Sequence, residues 1–300
     1  MRISVNIVIQ IYWRILKIKP LSALAILVWS TATFSQSSWA VGEIKGTANS
    51  HSSTSIGAVV TGALVSLPSQ ITGGQEFFGF WRDMPQVKGG QVPVILFLHG
   101  GTGLGLPAIG EWQRWLATIG IASVAPDSFA LPNRLTYKSP VSKEVYEQIH
   151  RLRTSEVKPT LEALAQTTWA DMSKVFLAGT SEGATSVARW RGNEFRGRII
   201  YAWSCEDNYF VETHDTAPLI EQPVLNIISA VDPFFSKANT WLGNQNAKGH
   251  CGESLRVNKR AAVVMVPDAP HTLLNLPSAR HATEGFLREA LRSLINIVKE

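Results

Sequence analysis

Short apolar runs recur along the chain, and they are separated by stretches whose apolar positions repeat every three to four residues. Eight runs have the composition of β-strands, at residues 58–65, 76–81, 94–98, 121–125, 175–178, 199–203, 224–228 and 261–266. The last six are almost continuously apolar, which is the pattern of strands covered on both faces of a mainly parallel sheet. Between them, Ile109, Trp112, Leu116 and Ile119 share one helical face, and so do Phe286, Ala290, Leu294 and Val298 near the C-terminus. Residues 144–166 also read as helical, with Pro159 expected to kink or divide them. Strands alternating with helices predict an α/β sheet joined by right-handed crossovers. The first two runs have no helix between them, so the sheet is expected to start antiparallel. No repeat or linker divides the sequence. One domain is predicted over residues 58–300, preceded by a loose Gly/Ser/Thr-rich arm at 41–57.

Composition narrows this picture. The 300 residues are 45% hydrophobic and 17% charged, which excludes disorder, a collagen-like repeat and a multi-span membrane protein. The formal net charge of +5 is concentrated in residues 1–40, where Arg2, Arg14, Lys17 and Lys19 meet no acid. The remainder is nearly neutral and has no dense basic cluster, so a nucleic-acid partner is not expected. That basic start leads into an apolar run at 21–34, too short to span a bilayer comfortably, and then into Ser38-Trp39-Ala40. This is the layout of a secretory signal peptide cleaved after Ala40, which predicts an exported protein off the membrane; an uncleaved N-terminal anchor is the rival reading. Export gives meaning to the two cysteines, Cys205 and Cys251, which an oxidising compartment would allow to pair; two separate buried thiols are the alternative. Neither CxxC nor Cys/His zinc spacing occurs, so no metal is expected.

In sheets of this kind, ligands bind beyond the carboxyl ends of the strands, so the residues just after each run are the place to look for chemistry. The run at 175–178 leads into Gly179-Thr180-Ser181-Glu182-Gly183 and then a helix-compatible stretch. G-x-S-x-G between strand and helix is a nucleophile elbow, where flanking glycines permit a sharp reversal that exposes the serine hydroxyl. A serine nucleophile needs a base oriented by a carboxylate, in the chain order serine, acid, histidine. Asp232 follows the run at 224–228, and His271 follows the run at 261–266, in that order. Glu206 and Asp207 compete for the acid, and His250 and His281 for the base. The run at 94–98 enters His99-Gly100-Gly101-Thr102-Gly103. Backbone N–H groups of Glu182 and of Gly101 or Thr102 would form an oxyanion hole, with His99 hydrogen-bonding the loop. Residues 103–108 also match the dinucleotide fingerprint G-x-G-x-x-A, with Asp127 about 20 residues on. The glycines come late for the first tight turn, and two strands precede them, which weighs against that reading.

Taken together, the segments at 92–105, 111–129, 175–184, 224–232 and 267–271 resemble the α/β-hydrolase superfamily, in particular its dienelactone hydrolase-like branch. The resemblance covers roughly residues 58–298. It implies a single-domain α/β-hydrolase fold with a mainly parallel sheet of about eight strands flanked by helices. Carried across, the nucleophile falls on Ser181, the acid on Asp232 and the base on His271. Dienelactone hydrolases have cysteine in the elbow where this chain has serine, so their substrate does not transfer. A serine carboxylesterase for small or aromatic esters, without cofactor, is the expectation. About 20 residues separate Trp203 from Val224, too few for a large cap domain. Trp203, Phe210, Phe234 and Phe235 could line an apolar pocket or pack locally. A non-catalytic exported member of the fold, and a dinucleotide-binding oxidoreductase, are the competing functions. The sequence carries no signal of oligomeric state.

Overall fold

The computed structural model describes residues 42–87 and 89–297, with side chains described as far as 292. The predicted signal segment and its cleavage site lie outside the described residues. In chain order the strands are β1 (Ile44–Lys45), β2 (Leu64–Leu67), β3 (Phe77–Phe80), β4 (Val92–Leu98), β5 (Ala122–Ala125), β6 (Thr136–Tyr137), β7 (Ala170–Thr180), β8 (Gly197–Tyr201), β9 (Val224–Ser229) and β10 (Ala261–Val266). The α-helices are α1 (Ser53–Thr61), α2 (Ser69–Thr72), α3 (Pro107–Thr118), α4 (Lys143–Ser155), α5 (Val157–Ala165), α6 (Glu182–Arg189) and α7 (Pro277–Ile297).

Eight strands form one sheet in the order β10-β9-β8-β7-β4-β5-β2-β3. The pairs from β10 to β5 are parallel, while β2 runs antiparallel to both β3 and β5, as the missing first crossover predicts. The central strands β4, β5, β8 and β9 are buried along nearly their whole length. Helices α4, α5 and α6 close one face over Tyr146, Val157, Leu164 and Val187. On the other face, α3 and α7 pack Trp112, Leu116, Leu287 and Ala290 against Phe97, Ile199 and Ile227. The helical stretch at 144–166 is divided at Glu156, and Pro159 falls in the first turn of α5, where a missing N–H costs no helix bond.

Three expectations are corrected. Residues 58–65 are not one strand: α1 extends through Thr61, because Ser52 and Ser55 form a reciprocal capping box that offsets the β-type composition of Val59 and Val60. Residues 42–57 are not a loose arm. Ile44 and Lys45 pair with Tyr137 and Thr136, and Asn133 Nδ2 donates to Thr47 Oγ1 at 2.8 Å. The small residues there serve close backbone approach: at Gly46, with φ +72°, an added Cβ would lie 2.1 Å from Arg134 O. Finally, β10 is not covered on both faces. It is the edge strand, and Val263 and Met265 are exposed.

Candidate active site

The end of β7 reverses at Ser181 into α6, and Ser181 adopts φ 54° and ψ −117°. A non-glycine residue held there stores about 1–3 kcal/mol of strain. The elbow keeps this shape because the chain cannot spread. A Cβ at Gly183 would lie 2.2 Å from Leu98 O, and one at Gly179 would lie 2.9 Å from the Gly183 carbonyl. Ser181 N–H donates to Tyr201 O at 3.0 Å, which ties the turn to β8.

Asp232 lies beyond the end of β9 and is fully buried. Its Oδ1 accepts from the N–H groups of Phe234 and Phe235 at 2.9 and 3.1 Å, and its Oδ2 accepts from His271 Nδ1 at 2.7 Å. A carboxylate held this way makes Nδ1 the protonated ring nitrogen and leaves Nε2 as an acceptor. The Phe234 ring packs edge-on against the imidazole at 4.6 Å, which limits its rotation. His271 and Ser181 line one cavity of about 510 Å³ together with Gly100, Gly101, Thr102 and Tyr137. Among the described residues no hydrogen bond joins Ser181 Oγ to the ring. The competitors are engaged elsewhere. Glu206 accepts from the N–H groups of Lys248 and Gly249, Asp207 pairs with Lys143, His250 Nδ1 accepts from Gly252 N–H, and His281 is exposed on α7.

The amides of Glu182, Gly101 and Thr102 have no acceptor among the described residues. Beneath them lies a buried ionic cluster that sequence reasoning missed. The Glu182 carboxylate accepts from Arg134 Nη2 at 2.6 Å and sits 3.5 Å from Arg153 Nε. Arg153 also pairs with Glu156 and donates to His99 O at 3.1 Å. One guanidinium thus touches both the residue after the serine and the loop after β4. His51 Nε2 closes the far side of the cluster, 3.2 Å from Glu156 Oε1. The signal for Arg153 and Glu156 was their spacing: both fall on the apolar face that Tyr146, Ile149 and Leu152 define, where an unpaired charge would be expelled.

His99 holds the loop as expected. Ser128 N–H donates to its Nε2 at 3.1 Å and its Nδ1 donates to Gly100 O at 2.7 Å, a pattern only the neutral ring satisfies. Burial, helped by the Arg153 charge, pushes its pKa well below the ordinary value. Tyr137 moves the opposite way: burial and the nearby Glu182 carboxylate hold its phenol protonated far into the alkaline range.

Cys205 and Cys251 form a disulfide. It joins the loops after β8 and β9, which contain no helix or strand and bring aromatic side chains to the cavity. Phe210, Phe234 and Phe235 line it, as do Tyr209 and Tyr137, which sequence reasoning had not singled out. Trp203 does not: it is buried behind them, edge-on to Phe235 at 4.9 Å. Residues 103–108 lead from the loop after β4 into the first turn of α3, and the Phe129 ring lies against Gly103, 3.1 Å from where a Cβ would stand. Among the described residues no three His, Cys, Asp or Glu side chains gather as a metal site.

No protein-family model and no curated protein matches the chain. Solved structures do. The chain is similar to TT1662 from Thermus thermophilus, with 17% identity, a TM-score of 0.50, and 84% of this chain and 99% of that one covered. The fold is that of the α/β-hydrolases. Other α/β-hydrolase-fold likenesses include the dienelactone hydrolase-like promiscuous phosphotriesterase P91 from metagenomic libraries, at 17% identity and a TM-score of 0.49 over 77% of this chain and 97% of that one. Est1E from Butyrivibrio proteoclasticus gives 14% identity and a TM-score of 0.46, over 77% and 94%. Within this fold Ser181, Asp232 and His271 all stand beyond the carboxyl ends of β7, β9 and β10.

Proposed function

We propose that this chain is a serine carboxylesterase with Ser181 as nucleophile, His271 as base and Asp232 as the residue that orients the base. The observation that carries the reading is the 2.7 Å bond from His271 Nδ1 to the buried Asp232, beside a cavity that the strained Ser181 also lines. Ser181 Oγ attacks the ester carbonyl while His271 Nε2 takes its proton, giving a tetrahedral intermediate whose oxyanion is met by the amides of Glu182 and of Gly101 or Thr102. The imidazolium then gives the proton to the departing alkoxide. Water, deprotonated by the same ring, releases the acid from the acyl-serine. Asp232 stabilises the imidazolium and keeps the tautomer correct.

The cavity walls favour esters of small or aromatic acids, since Tyr209, Phe210, Phe234 and Phe235 offer ring surfaces and no carboxylate is among its lining residues. We read the N-terminal segment as an export signal, and the disulfide supports an oxidising destination. Among the described residues, no helix is long and apolar enough to cross a membrane.

Fluorophosphonate labelling tests the reading. Wild type should label at Ser181 and hydrolyse p-nitrophenyl acetate, and Ser181→Ala should lose the label and several orders of magnitude in turnover. An unlabelled wild type, or a Ser181→Ala variant of undiminished rate, overturns it. Saturable binding of NAD(H) without labelling would favour the oxidoreductase alternative instead.

A further inference from the structure

Among the described residues no strand pairs with the outer edge of β10, and the composition of that edge is unusual. Parallel strands direct both backbone groups of alternate residues to one neighbour. The carbonyls of Arg260 and Val266 accept from Val224 and Ala230 N–H at 3.2 and 3.0 Å, so the even-numbered residues of β10 face β9. The N–H and C=O groups of Ala261, Val263 and Met265 therefore face away from the sheet. Natural edges are usually blunted by charge, proline, a bulge or brevity. The other end of this sheet follows that rule: β3 has four residues, and the guanidiniums of Arg82 and Arg114 lie over Phe80 and Phe78 at 4.3 and 4.4 Å. In contrast, β10 is six residues of alanine, valine and methionine with no charge.

Apolar exposure gathers along the same edge. Six of the nine large hydrophobic side chains exposed among the described residues are Leu219, Ile220, Val231, Val257, Val263 and Met265. Leu219, Ile220 and Val257 stand at the start of β10, where Lys259 N–H donates to Ile220 O at 2.9 Å. Val231 stands at its end, next to the Ala230–Val266 bond. The strip thus runs from one end of the strand to the other, about 20 Å, longer than the scattered exposure common on monomers.

We propose that β10 pairs antiparallel with β10 of a second copy of this chain, on a two-fold axis at Val263. That register sets Val263 against its own counterpart and Ala261 against Met265, forming about six backbone hydrogen bonds with apolar cross-strand neighbours. The same rotation brings the Leu219–Ile220–Val257 end of one copy to the Val231 end of the other. The pairing is thus complementary in hydrogen bonding and in apolarity. The carboxyl ends of the central strands, where the cavity opens, are left free.

The test uses protein purified after expression of the full chain, followed by sedimentation velocity between about 1 and 100 μM and by amide hydrogen exchange at both limits. The expected result is a dimer whose Ala261, Val263 and Met265 amides are protected at high concentration and exchange at low concentration. Val263→Lys and, separately, Met265→Lys should weaken dimerisation by about 100-fold while ester hydrolysis, and the melting temperature at the dilute limit where the wild type is monomeric, stay at wild-type values. A wild type monomeric throughout overturns the proposal, as does a dimer that both folded variants retain. Protection of those amides in a chain that sediments as a monomer also overturns it, because another segment of the same chain would then cover the edge. The wild-type exchange decides the matter even if neither variant folds.

Discussion

Arg153 offers a direct trial of the buried ionic cluster. Its side chain and that of Glu156 are fully buried, and Arg153→Met removes the cation that pairs with Glu156, lies beside Glu182 and donates to His99 O. Glu182 would keep Arg134 at 2.6 Å, but Glu156 would be left with only His51 at 3.2 Å. Breaking a buried pair from one side costs about 3–5 kcal/mol. For a domain of this size that corresponds to a melting temperature lower by about 6–20 °C, read by calorimetry. Because the lost bond to His99 O also frees the loop that would present Gly101 and Thr102, kcat on p-nitrophenyl acetate should fall by up to about 10²–10³, the scale of a lost oxyanion donor. The diagnostic comparison is Arg153→Met with Glu156→Gln in the same chain. Removing both charges should recover at least half of the stability while leaving kcat low, since the loop is still untied. A single variant within about 1 kcal/mol of wild type, or a double variant no more stable than the single, would refute the account of a cluster balanced by opposite charges.

Three further outcomes are expected. Ser181→Gly should abolish esterase activity yet raise stability by about 1 kcal/mol, because glycine relieves the positive φ and returns part of the gain through its looser unfolded chain; a destabilised variant in urea melts would contradict this. Replacing both Cys205 and Cys251 by serine should lower unfolding stability by about 4 kcal/mol, the chain-entropy value for a disulfide closing a 46-residue separation, and a chemical-denaturation midpoint equal to wild type would exclude it. Burial alone would raise the Glu147 carboxyl, but the His150 ring 3.8 Å away and hydrogen bonds from Arg189 and the Glu212 N–H outweigh it and hold the group well below the usual carboxylate range. Its stabilisation is therefore present above the unfolded value near pH 4 and lost as pH falls below it, so Glu147→Gln should flatten the acid limb of the stability curve; an unchanged acid slope in Glu147→Gln would rule this out.

The mainly parallel sheet and the positions of Ser181, Asp232 and His271 beyond strand ends were legible because each follows an apolar strand, and strand ends are where this architecture presents side chains. The antiparallel start could be read from a missing crossover helix. Local composition misled at residues 58–65, where Val59 and Val60 suit a strand but the Ser52 cap starts a helix. It misled again at 42–57, where small residues signal backbone contact as readily as freedom. Edge position is a property of the whole sheet, so the apolar run of β10 looked like its buried neighbours. The charged cluster joins residues as distant as His51, Arg134, Glu156 and Glu182, and no local pattern announces which of them will meet.

The break between α4 and α5 has a mechanical consequence. An α-helix is a screw, and each residue advances its phase by about 100°. Arg153 reaches the loop at His99 only because the thread from Lys143 arrives at one particular angle, with Glu156 placed at the joint to receive it. Inserting a single alanine midway along α4 would leave composition and helix propensity almost untouched. Yet it would swing the guanidinium a quarter-turn off the loop, and the site would lose its underpinning to an error of rotation alone.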